Sequence, residues 1–153
     1  MIEPIRFEDD TLMLLDQRVL PGREEWLQLR SAEEAIQAIR DLVVRGAPAI
    51  GVTAAYGLVL GARDLPASRP EFDAAFQRLC DAMCEARPTA VILAWAVARL
   101  QRIAHANPDA DVPGLIDLML QEAREIQVDD LAANRTMGRY GAELLADRAT
   151  VLT

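Results

Sequence analysis

The sequence predicts a mainly α fold of the α+β type, in which a small N-terminal antiparallel β-element leads into a helical bundle. Three observations carry this expectation. The first 30 residues hold short apolar runs separated by turn signals. Residues 31–148 are punctuated by side-chain-capped and proline-led helix starts. Between them, Gly46 to Ala62 contains no charge and is crowded with glycine and alanine, the composition of a helix packed closely inside a core.

The elements follow in order. Ile5-Arg6-Phe7 and Leu12-Met13-Leu14-Leu15 flank the polar Glu8-Asp9-Asp10-Thr11, the pattern of a hairpin. Val19-Leu20 and Trp26 to Leu29 offer one or two further strands around a Pro21-Gly22 turn. Ser31 with Glu34 three residues on forms a capping box. The helix it opens has the stripe Ala35, Ile36, Ile39, Leu42 and Val43 and is predicted to stop at Gly46. A helix headed by Pro48 then runs to about Arg63, and Leu65 to Pro70 reads as a linker. Pro70 opens a helix burying Phe72, Phe76, Leu79 and Met83, which Arg87-Pro88 ends. Thr89 to Ala106 is the next helix, closed by Asn107-Pro108. Asp111 and Pro113 start a long segment reaching about Leu145, with Gly138 and Gly141 marking a kink or late break. The β-branched run over residues 149–153 reads as a buried strand, the start of a further α/β domain. With no sheet to join, that strand is an open edge and predicts self-association.

Bulk properties exclude several classes. At 153 residues and 52% hydrophobic, the chain is long enough to bury a core. A net charge of −8 opposes a nucleic-acid footprint, and 5% aromatic residues leave little for base stacking. The uncharged run from Gly46 to Ala62 is shorter than the roughly 20 residues a membrane span needs. The N-terminus lacks the basic and apolar regions of a signal peptide, so a cytoplasmic protein is the default expectation. Cys80 and Cys84 share one helical face, which allows a metal or redox pair but fits core packing far better, since no zinc spacing accompanies them. His105 sits where a helix ends and suits the dipole there. No metal or cofactor is predicted.

Two constellations carry chemistry. In Arg45-Gly46-Ala47-Pro48-Ala49-Ile50-Gly51, proline fixes the first helical turn while Gly46 opens the backbone to close approach. The free N–H groups and the positive helix end then favour an anion, and Arg45 adds a bidentate fork suited to phosphate. Arg87-Pro88-Thr89-Ala90-Val91 repeats the arrangement of an arginine before a proline-led apolar helix. The two starts are expected to converge on one phosphate. Two ordinary helix entries with solvent-facing arginines are the alternative.

At this point the sequence resembles a known family. The Arg45 to Gly51 block, followed by Ala54-Ala55-Tyr56-Gly57, is similar to the signature of 5-methylthioribose-1-phosphate isomerases of methionine salvage. Arg87 to Val91 with Leu93 and Trp95 resembles their second block; Leu15-Asp16-Gln17, Leu20-Pro21 and Asn134-Arg135 with Gly138 and Gly141 fit as well. The resemblance runs along the whole chain but matches only the family's N-terminal part. It implies that Arg45, Gly46, Ala47 and Arg87 contact a sugar phosphate. It also implies a partner in the form of a C-terminal Rossmann-like domain, and a homo-oligomeric, dimeric enzyme. The family's catalytic cysteine follows the strand matching Thr150 to Thr153 and its aspartate lies further on, so no catalytic residue is assigned here; Cys80 and Cys84 do not match that position. Ile92 stands where the family pattern has asparagine, and Tyr140 where histidine is common. Ribose-1,5-bisphosphate isomerases and regulatory subunits of a translation-initiation exchange factor share the architecture. A sugar-phosphate-binding or scaffolding relative is therefore the second expectation, and a plain acidic interaction module the third.

Overall fold

A computed structural model describes residues 3–150. Three strands come first, β1 (Ile5–Glu8), β2 (Thr11–Leu15) and β3 (Trp26–Leu29), followed by α1 (Ala32–Arg40), α2 (Ala47–Ala62), α3 (Arg69–Ala86), α4 (Val91–Ala106) and α5 (Val112–Glu143). The strands form one antiparallel sheet in the order β1-β2-β3. The hairpin between β1 and β2 turns on Asp9 and Asp10, both at positive φ (45° and 60°), as a two-residue primed turn requires. Ile5 pairs with Leu14, Phe7 with Leu12, and Leu12 in turn with Leu29. Strand alternation puts these apolar side chains on one face, against the helices. Val19-Leu20 forms no strand; the chain there turns through a cis Leu20-Pro21 bond.

Helix α2 is the axis of the structure. Every residue from Ile50 to Ala62 is buried, with α1, α3, α4 and α5 all packed against it. An amphipathic stripe would leave one side of such a helix facing water, so a run with no polar face is the right composition for this position. Glycine lets its neighbours come close. A Cβ on Gly57 would lie 2.6 Å from the Ala35 Cβ of α1 and 3.0 Å from the Met83 Cε of α3. The sheet docks through side chains as well: Phe7 stacks on Tyr56 at 4.8 Å between ring centroids. The Tyr56 hydroxyl donates to Gln127 Oε1 (2.6 Å), and the Gln127 amide donates to the Ile5 carbonyl (2.9 Å). Arg63, beyond the end of α2, pairs with Asp10 of the hairpin at 2.7 Å.

Two boundaries and one expected break differ from the sequence expectations. Helix α1 stops at Arg40 rather than continuing towards Gly46. Its end is a Schellman motif, in which the Val43 N–H reaches the Ala38 carbonyl (3.0 Å) and the Leu42 N–H reaches Ile39 (3.3 Å). Leu42 occupies the left-handed position (φ 58°) where glycine is usual, which removes the expected stop signal. Val43 and Val44 then enter the core from a non-helical segment and so mimic a continued stripe. Helix α4 begins at Val91, not Thr89, because Pro88 and Thr89 form a turn closed by the Ala90 N–H to the Arg87 carbonyl (3.0 Å). Pro88 therefore heads a turn and not the helix. Helix α5 continues through Gly138 and Gly141 as one element, and its residues from Ala132 onward are exposed. Ala149 and Thr150 are not in a strand, and the rest of the expected terminal strand, 151–153, lies outside the described residues.

Two substitutions test this packing. Gly57→Ala gains about 1 kcal/mol of helix preference but overpacks a site that typically costs 1–3 kcal/mol. With the Ala35 backbone unable to yield, a net loss of about 1–2 kcal/mol in urea unfolding is expected, partly restored by adding Ala35→Gly. Leu42→Gly relieves a left-handed leucine that is 40% exposed, and is expected to stabilise by about 1 kcal/mol in the same measurement.

Candidate functional site

Among the described residues, α2 and α4 are the helices that begin with neither a side-chain cap nor an acidic residue in the first turn. Helix α1 has Ser31 and two glutamates, α3 has Glu71, and α5 is capped by Asp111. An uncapped, acid-free start leaves its N–H groups and positive dipole end uncompensated from within the chain. These are the two starts that the arginine blocks precede. They also lie side by side. A Cβ on Gly51, one turn into α2, would come 2.8 Å from Cγ2 of Ile92 in the first turn of α4.

At the α2 start, Gly46 is the N-cap residue at φ 91° and ψ 132°, and its carbonyl accepts the first helical bond from Ile50 (3.1 Å). Only glycine adopts that conformation without strain, and the space around it is open, with no atom within 4 Å of a built Cβ. Pro48 has no N–H, so the donors free to meet a ligand in the first turn belong to Ala47 and Ala49. Arg45 is exposed and Arg87, at the C-cap of α3, is half-buried. The ion pairs among the described residues engage Arg18, Arg23, Arg63, Arg69 and Arg99, leaving both Arg45 and Arg87 without a carboxylate partner. The structure thus brings the two helix starts into contact and puts Arg45, Gly46 and Ala47 together at one of them. Arg87 precedes the other by way of the Pro88-Thr89 turn.

Beside these starts runs a groove of about 220 Å³ lined by Pro48 and Val52 of α2, Ile92 and Trp95 of α4, and Ile126 of α5. Asp129 and Asp130 border it. Ile92 fills a place in this apolar wall, which accounts physically for a non-polar side chain there.

Sequence reasoning picked out Asp16 and Gln17 only as residues that fit the family and missed their place behind Arg45. Asp16 is 3% exposed, and its carboxylate accepts from Arg18 Nε (2.9 Å), Arg18 Nη2 (2.6 Å) and the Arg18 N–H (3.0 Å). The bonded Arg18 guanidinium holds the Asp16 carboxyl below its ordinary value of 3.8, against burial, and the charge of Arg45 adds to the effect. Gln17 Oε1 accepts from the Arg45 N–H at 3.1 Å. A bond across 28 positions has no periodic signature, so nothing in the residue pattern announces it.

The other candidates fall away from the site. Burial pushes the Cys80 thiol up to about 12, and raises that of half-buried Cys84, so neither carries thiolate character near neutrality. No group of three His, Cys, Asp or Glu side chains among the described residues is placed to hold a metal ion. His105 is exposed in the last turn of α4. Among the described residues no helix is long and apolar enough to cross a membrane.

The lowered Asp16 carboxyl makes a signed prediction. Its contribution to stability is fully present above pH 3.8 and is lost as the pH falls through the lower folded-state value. Acid unfolding followed by circular dichroism is expected to become shallower below about pH 4 in Asp16→Asn.

Known proteins bear on this arrangement. A methylthioribose-1-phosphate isomerase of Syntrophotalea carbinolica is 47% identical over 153 residues, covering 99% of this chain and 44% of the relative. One from Albidiferax ferrireducens is also 47% identical, with 99% and 43% covered. The chain thus spans less than half the length of these relatives. Among solved structures, 5-methylthioribose 1-phosphate isomerase from Pyrococcus horikoshii superposes with a TM-score of 0.89 at 34% identity, covering 95% of this chain and 41% of that one. The delta subunit of translation initiation factor eIF-2B from A. fulgidus follows with a TM-score of 0.84 at 37% identity, with 95% and 42% covered. Residues 43–153, from the loop before Arg45 onward, match the model of the initiation factor 2 subunit family, and the chain belongs to that family.

Proposed function

We propose that this chain forms the N-terminal, phosphate-holding portion of an isomerase that converts 5-methylthioribose 1-phosphate to 5-methylthioribulose 1-phosphate. The observation that carries the reading is the pair of uncapped, acid-free helix starts in contact, each preceded by an arginine without a carboxylate partner, in a chain 47% identical to a named isomerase. In this reading Arg45 and Arg87 supply charge-assisted bonds to the phosphate, and the Gly46 turn admits it to the Ala47 N–H. The phosphate on C1 blocks simple opening of the sugar to an aldehyde. The reaction therefore needs an acid and a base to move hydrogen between C1 and C2, sheltered from water. Those groups belong to the length of the relatives beyond the match, in a following α/β domain, and the whole works as a cytoplasmic homo-oligomer.

A holder of substrate without acid–base groups binds but does not turn over. The 153-residue chain is expected to show no isomerase activity with 5-methylthioribose 1-phosphate, while calorimetry detects its binding. Removing one charged hydrogen-bonding group typically costs 1.5–3 kcal/mol, so Arg45→Ala and Arg87→Ala should each weaken binding roughly 10- to 100-fold. Turnover by the isolated chain, or binding indifferent to both substitutions, would falsify the reading.

The likeness to an initiation-factor subunit at 37% identity favours a second reading, a regulatory relative that senses a nucleotide. Tighter binding of adenosine monophosphate than of the sugar phosphate would select it.

A further inference from the structure

We propose that Gln17 is a positioning residue of the anion site, holding the segment that delivers Arg45 and the Gly46 turn to the start of α2. The inference rests on the phosphate-holding reading above and names the residue on which that site's geometry depends.

The segment from Leu42 to Gly46 has to be held in place. It is bracketed by two residues at positive φ, Leu42 at 58° and Gly46 at 91°, and lies in neither helix. Its inner part is fastened by burial of Val43 and Val44. Its outer part, Arg45, is exposed, and its main chain is fastened by Gln17. Gln17 grips twice: its own N–H donates to the Val43 carbonyl (2.9 Å), and its side-chain Oε1 accepts from the Arg45 N–H (3.1 Å). Two bonds to alternate residues, one to a carbonyl and one from an N–H, copy one rung of a β-ladder on a bent segment, with a side-chain amide standing in for the second backbone group.

Gln17 is itself held. Asp16, on one side, donates its N–H to the Glu25 carbonyl (2.8 Å) and its buried carboxylate takes the Arg18 guanidinium and N–H. The Asp16-Gln17-Arg18 turn is thus fastened through both the main chain and the side chain of Asp16. Because Oε1 is a neutral acceptor, it orients the Arg45 peptide without neutralising the guanidinium and adds no negative charge where an anion would sit. A carboxylate at the same place would hold the peptide equally well but oppose the ligand.

The test uses the 15N-labelled chain and inorganic phosphate, with Gln17→Met, of similar shape but with no strong acceptor, and Gln17→Glu, which keeps an acceptor oxygen. In Gln17→Met the Arg45 amide proton should move upfield and exchange at least about tenfold faster, and phosphate affinity should fall roughly fivefold to tenfold, as loss of one hydrogen bond implies. In Gln17→Glu the Arg45 amide should stay protected. A purely structural role would lower the melting temperature and leave phosphate affinity unmoved in the folded protein. Retained Arg45 protection in Gln17→Met, its loss in Gln17→Glu, or unchanged phosphate affinity despite lost protection would each overturn the proposal while leaving the anion site standing. Absence of phosphate binding by the unsubstituted chain, or binding undiminished by Arg45→Ala, would instead remove the anion site and the role of Gln17 with it.

Discussion

The burial of α2 on every side is the constraint on which the rest of the structure depends. A helix surrounded by other helices has no room for a polar face, and its backbone must lie near its neighbours. That requirement explains Gly57 against Ala35 and Met83, Gly61 against Ala32 and Leu79, and Gly51 against Ile92. It also explains the site. Because α2 and α4 approach closely at Gly51 and Ile92, the first turns of the two helices are neighbours, and each is preceded in the chain by an arginine. Packing and the proposed site therefore lie close together: Gly51, which allows the helices to meet, follows shortly after Gly46, which opens the backbone.

Around that axis, polar groups do the joining. Arg69 donates to the Ala104, Asn107 and Ala110 carbonyls at 2.7, 2.7 and 3.0 Å, closing the C-terminal end of α4 from the start of α3. Arg99 bonds Glu122 and lies 5.1 Å over the Trp95 ring, tying α4 to α5 along the groove. These guanidiniums are occupied in holding elements together. Arg45 and Arg87 form no ion pair among the described residues, and neither do other arginines such as Arg78 and Arg102. What sets these two apart is that each precedes an uncapped, acid-free helix start, and that is the physical basis of the proposed anion site.

Most elements were legible because their signals are local. The Ser31 and Glu34 box, Pro48 and Pro70 in first turns, and the Asp111 cap each mark a helix start, and the two-aspartate turn marks the hairpin. The end of α1 was not legible, because Leu42 does a glycine's work and two buried valines beyond it prolong the apolar rhythm. Pro88 misled for a related reason, since a proline after an arginine reads alike before a turn and before a helix. Within the site, the arginines and Gly46 stand out by residue type, whereas Gln17 and Asp16 matter through bonds to partners distant in sequence, which no spacing rule records.

The bond from Gln127 to the Ile5 carbonyl has a consequence for the order of events on a growing chain. It joins groups 122 positions apart, so the first strand made receives this partner only after α5 has emerged. Until then the Ile5 carbonyl has only water to bond at that site, and Tyr56 lacks the side-chain oxygen to which its hydroxyl donates in the finished protein. The sheet can dock on α2 earlier through Phe7 on Tyr56 and Arg63 on Asp10, but the bond that ties it to α5 is a non-local step made last, and contacts of that kind slow folding more than they limit final stability.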